Sequence, residues 1–164
     1  MMKRTYECIA RRMGVMVLQA LFVVTVAAQT DYDMRYTVAF DTLGHYLNVQ
    51  LDYQQNSQVN ELVLNMPRWT PGYYEMLNFP KHLCDFVAED VQGKPLSWKK
   101  DGMNRWRISL PVDGKAHVSY RVYANQRDVA SSRVEGNLAF VAPAGVFMYV
   151  DGQTVHPVTV HFDM

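Results

Sequence analysis

Between residues 45 and 53 apolar and polar side chains alternate without a break. Leu47, Val49, Leu51 and Tyr53 fall on one side, and Tyr46, Asn48, Gln50 and Asp52 on the other. A period of two is that of a β-strand with one buried and one wet face. Further strand-like runs cover residues 36–40, 62–66, 86–91, 96–100, 105–110, 117–123, 138–141, 146–150 and 155–162. Turn signals separate many of them: Gln92-Gly93, Asp101-Gly102, Asp113-Gly114 and Asp151-Gly152. An Asp-Gly pair between alternating runs is a hairpin signal, because glycine supplies the positive φ such turns need. After residue 28 no stretch holds a helical repeat with start and stop signals. The one ambiguous segment, 75–83, is cut by Pro80. The expected fold is all-β, an antiparallel sandwich of about nine short strands.

The first 28 residues read differently. Lys3, Arg4, Arg11 and Arg12 make a basic start, residues 13–28 form an apolar run, and Val26-Ala27-Ala28 ends it with small side chains. Basic, apolar, small is the order of a secretory signal peptide. The run falls short of the ~20 residues that span a bilayer. We therefore expect a signal peptide at 1–28 and one exported sandwich domain at 29–164. No membrane association is expected once the signal is cleaved. Cys8 precedes the apolar run, so it is not a lipobox cysteine, and cleavage leaves Cys84 as the single thiol. With no basic cluster or helix start beside it, Cys84 reads as an inert, partly buried side chain.

Charge narrows the function. The chain carries 16 Lys+Arg against 16 Asp+Glu, and removing the signal leaves it mildly acidic. A nucleic-acid partner is not expected without a basic excess. None of the five histidines is followed by glutamate, so the His-Glu-x-x-His pattern of zinc peptidases is missing. His156 and His161 are an odd number of residues apart in a strand-like run, which points them to opposite faces. His45, His82 and His117 stand isolated in sequence. There is no Gly-x-Ser-x-Gly elbow and no phosphate loop. No catalytic residue and no metal ligand is assigned. Trp98 and Trp106 flank the Asp101-Gly102 turn and read as core residues that face each other across the hairpin.

The chemically unusual segment is Met66-Pro67-Arg68-Trp69-Thr70-Pro71-Gly72-Tyr73-Tyr74. Pro71-Gly72 suits the centre of a type II turn. A stiff aromatic loop loses little entropy when it is ordered on binding. Trp69, Pro71, Gly72, Tyr73 and Tyr74 are therefore the candidate contact residues, facing either another domain or a substrate.

These residues also resemble a known family. Trp69-x-Pro71-Gly72-x-Tyr74 is similar to the Trp-x-Pro-Gly-x-Tyr signature in the N-terminal domain of the glycyl aminopeptidase family of zinc metallopeptidases, many of which carry a PDZ domain. The similarity continues through Asp90-x-x-Gly93-Lys94-Pro95-Leu96 with Lys100, Asn104 and Trp106. It extends through Val118-Ser119-Tyr120-Arg121-Val122-Tyr123-Ala124-Asn125, then the 142–149 segment and His156-Pro157-Val158-Thr159-Val160. The resemblance implies a β-rich domain that leans on a separate thermolysin-like catalytic domain. That second domain would hold the zinc, its ligands and the catalytic glutamate. On this implication, and with the signal, the chain is a non-catalytic N-terminal domain, truncated or a fragment, exported to the periplasm or the cell surface of a bacterium. It has no cofactor of its own, and its partner is the catalytic domain or its peptide substrate. The alternative is a free-standing exported sandwich that binds peptide or glycan through Trp69, Tyr73, Tyr74 and Phe79.

Overall fold

The computed structural model describes residues 32–55, 59–154 and 156–163. The expected signal peptide lies outside the described residues. Eleven strands are described: β1 (Tyr32–Asp41), β2 (Tyr46–Gln55), β3 (Glu61–Asn65), β4 (Leu83–Glu89), β5 (Trp98–Lys100), β6 (Arg105–Ser109), β7 (Lys115–Tyr123), β8 (Arg133–Glu135), β9 (Leu138–Phe140), β10 (Tyr149–Val150) and β11 (Thr159–Asp163). Two single-turn 3-10 helices, Phe79–His82 and Pro143–Gly145, interrupt them. Each carries a proline in its first turn, where the missing N–H costs nothing. Among the described residues no helix is long and apolar enough to cross a membrane.

The strands form a sandwich. A five-stranded sheet runs β11-β1-β2-β7-β4, a four-stranded sheet runs β10-β3-β6-β5, and β8-β9 make a separate hairpin. Alternation does the sorting. Leu47, Val49, Leu51 and Tyr53 of β2 all point into the core, as the period of two requires. Met34, Tyr36 and Val38 of β1, and Val118, Tyr120 and Val122 of β7, join them from neighbouring strands. The facing sheet contributes Leu62, Leu64, Trp106 and Ile108 to the same cluster. Phe86 of β4 reaches across the gap and stacks on Trp106 with ring centroids 5.6 Å apart.

Three details depart from the expected pattern. The β1–β11 pair is parallel, Arg35 lying beside Thr159 and Ala39 beside Asp163, whereas every other strand pair is antiparallel. Hairpins make antiparallel neighbours. β11 instead returns to the sheet from the far end of the chain, which frees its direction. β8 lies between expected strands. Finally, Trp98 pairs with Ile108, and Trp106 pairs with Lys100. The backbone N–H of Asp101 donates to the Arg105 carbonyl, so the turn is wider than a two-residue hairpin and shifts the register. The two indoles therefore do not oppose each other. Trp106 is fully buried beneath the Lys100 ammonium, which lies 4.9 Å from its ring. Trp98 stays partly exposed and meets Phe86 edge-on at 4.7 Å.

Candidate docking loop and its groove

The loop between β3 and the first 3-10 helix carries the aromatic motif. Its neck is closed by a 2.9 Å hydrogen bond from the Asn78 N–H to the Arg68 carbonyl. Inside the neck the Tyr73 N–H donates to the Thr70 carbonyl at 3.3 Å, around Pro71 and Gly72. Gly72 has φ +87°, as the third residue of a type II turn must. A Cβ added there would meet nothing within 4 Å, so the glycine answers to backbone conformation and not to crowding. The Trp69 indole N–H donates to the Tyr73 carbonyl, bracing the turn from its side. The loop is thus held by its own hydrogen bonds, while its rings stay out of the core. Trp69 is 46% exposed, Tyr74 is wholly exposed and Met76 is 62% exposed.

Phe79, grouped with these aromatics in the glycan-binding alternative, does not stand with them. It is buried and lies against the second 3-10 helix. A Cβ placed on Gly145 would come within 2.8 Å of Phe79 Cδ1. Its ring is committed to the core, because it fills the space that the glycine leaves open.

The loop forms one wall of a groove of about 440 Å³. Thr70, Pro71, Gly72 and Tyr73 line one side, and Val129, Ala130 and the 140–144 segment line the other. The second wall includes Phe140 at the end of the β8–β9 hairpin, of which β9 matches the expected strand at 138–141 and β8 was not expected. Gly136-Asn137 was the available signal, and Gly136 does turn the chain at φ +53°. The hairpin is tethered to the sandwich by few bonds. The Val134 N–H donates to the Ala124 carbonyl at 2.7 Å, and Val134 O accepts from His45 Nδ1 at 2.7 Å. A carbonyl only accepts, so Nδ1 carries the proton in this contact. Val134 is the one fully buried side chain of the hairpin strands, and Leu138 and Phe140 face outward.

A second concavity, of about 530 Å³, lies on the outer face of the five-stranded sheet. Register sets Arg35, Asp52, His117 and Glu89 in one row across four strands. His117 Nδ1 is 2.8 Å from Asp52 Oδ1, so this histidine, isolated in sequence, has a carboxylate neighbour in the fold. The row is a set of cross-strand polar neighbours on a solvated face, with Arg35 itself ion-paired to Asp33 of its own strand at 2.9 Å. Among the described residues no three His, Cys, Asp or Glu side chains are placed to hold a metal ion, and the zinc of the resembled enzymes finds no fitting donor set in them. Cys84 is half-buried beside a bulge in β4. Burial, and then the Asp85 carboxylate, push its thiol pKa up, which keeps it protonated and unreactive at neutral pH.

The model of the peptidase M61 N-terminal domain matches residues 35–164. The chain belongs to that family. The match spans the whole described sandwich apart from the start of β1, including the 69–74 loop and the β8–β9 hairpin. Among solved structures the domain is similar to an aminopeptidase N family protein from Idiomarina loihiensis, with 30% identity and a TM-score of 0.73. That alignment covers 79% of this chain but only 22% of the other, so this M61 N-terminal domain spans about a fifth of that protein. A non-cellulosomal cohesin from the hyperthermophilic archaeon Archaeoglobus fulgidus aligns over 81% of this chain at 14% identity, with a TM-score of 0.35, a distance at which no relationship is drawn. No curated protein sequence matches the chain.

Proposed function

We propose that this chain is a non-catalytic N-terminal domain of an exported, zinc-dependent aminopeptidase-like protein. It packs against a catalytic domain and forms part of the wall of its substrate cleft. The observation that carries this reading is the 69–74 loop: a family-signature segment that is braced internally yet presents Trp69 and Tyr74 to solvent. A ring kept out of the core by a rigid turn costs apolar exposure, and a partner that covers it recovers that cost. The 22% coverage of the Idiomarina loihiensis protein supports the same division of labour, because most of that chain lies outside the matched domain. Export rests on the basic and apolar pattern of residues 1–28.

A graft tests the reading. Residues 32–163 replace the matching segment of the Idiomarina loihiensis protein, and the domain's thermal unfolding is compared with that of the same residues alone. Docking raises the unfolding temperature of the grafted domain or merges its transition with the rest of the chain. Identical transitions in the two settings would overturn it.

A further inference from the structure

The β8–β9 hairpin gives the 69–74 loop a continuation. An isolated two-stranded hairpin is marginal in water, and this one buries only Val134. It nevertheless presents Leu138 at 54% and Phe140 at 48% exposure, with Val129 at 85% just before it. Three surface concavities share its residues. One joins Phe140 and Val129 to the Pro71-Gly72 turn. One lies between Leu138 and Phe140 and the polar rim of Arg127 and Asp128. One joins Leu138 to Phe40 and Phe162 at the β1–β11 edge, where those two rings stack at 6.0 Å. The apolar surface is therefore continuous from the loop, across the hairpin, to the sheet edge. An apolar centre with a charged rim is the anatomy of a protein interface.

Resting on the reading above, we propose that the hairpin is the second half of the docking surface. Its occupant is an apolar face of the catalytic portion of the same polypeptide in a longer family member. The occupant follows from two observations. The matched relative has more than three-quarters of its chain outside this domain. The surface is also built from aliphatic and aromatic side chains on backbone already shaped by turns, which suits a fixed neighbouring domain more than a small polar ligand. The hairpin is then held in place by its neighbour as well as by Val134.

Hydrogen exchange read by mass spectrometry tests this on the grafted protein described above. Peptides covering β8–β9 should exchange at least about tenfold more slowly in the graft than in the domain alone, together with peptides from the 69–74 loop. Joint substitution Leu138→Ser and Phe140→Ser should abolish the slowing in both. Val129→Ser, outside the strands, should reduce it without touching hairpin pairing. Slowing confined to other surfaces, such as the outer face of the five-stranded sheet, would overturn the hairpin's role and leave domain docking intact. No slowing anywhere would overturn both.

Discussion

The Tyr120 hydroxyl donates a 2.7 Å hydrogen bond to the Val146 carbonyl, from the middle of β7 to the strap that leads into β10. Tyr36 does the same from β1, its hydroxyl donating to the Met148 carbonyl at 2.8 Å. The two phenols sit in the core and tie the five-stranded sheet to the segment that closes the opposite one. Burial drives the Tyr120 pKa well up, so it remains a neutral donor throughout the useful pH range. Tyr120→Phe removes the donor to the Val146 carbonyl at a buried site. The expected cost is about 1–3 kcal/mol of stability, read as a lower midpoint in urea with an unchanged slope. An unchanged midpoint would show that the carbonyl finds another donor.

Gly145 and Phe79 form the second tie, between the two 3-10 helices. Gly145→Ala drives a methyl to within 2.8 Å of a buried ring. Phe79 is enclosed and has little room to yield, so overpacking of about 1–3 kcal/mol is expected. Gly145→Ala combined with Phe79→Leu should recover part of the loss. A double mutant no better than the sum of the single changes would rule out the clash as the cause.

His82, at the end of the first 3-10 helix, gives stability a pH dependence. Burial, then Lys81, lower its pKa from 6.5, and Asp128 opposes them weakly. The folded state therefore favours the neutral imidazole. Its contribution is fully present above pH 6.5 and declines as pH falls from there through the lower folded-state value, because the unfolded chain takes up the proton first. The unfolding temperature should fall as pH drops below 6.5, and His82→Gln should flatten that part of the fall. Curves for the two proteins that run parallel would remove His82 from the account.

The β2 alternation was legible because its four inward residues are all apolar and nothing interrupts the period. The 69–74 loop was legible for a similar reason: Pro71-Gly72 writes a turn locally. What escaped depends on distant contacts. β8 has three residues, one of them buried, too few to show a period. The parallel direction of β11 is a matter of how the chain returns to the sheet. The burial of Phe79, while Tyr74 in the same stretch stays exposed, depends on Gly145, far along the sequence, which leaves room for the Phe79 ring. Likewise the register of Trp98 and Trp106 follows from the breadth of the turn between them, which the Asp-Gly pair alone does not specify.

The central claim is that the 69–74 loop faces another domain and does not merely cap this one. Tyr74→Ala separates the two roles, because that ring is wholly exposed. The decisive measurement is the unfolding temperature of this variant, in the isolated domain and in the grafted protein. The account predicts a small change in the isolated domain and a marked fall in the graft, where the ring would be buried against the catalytic portion. An equal fall in both settings would make the loop a structural cap and contradict the claim.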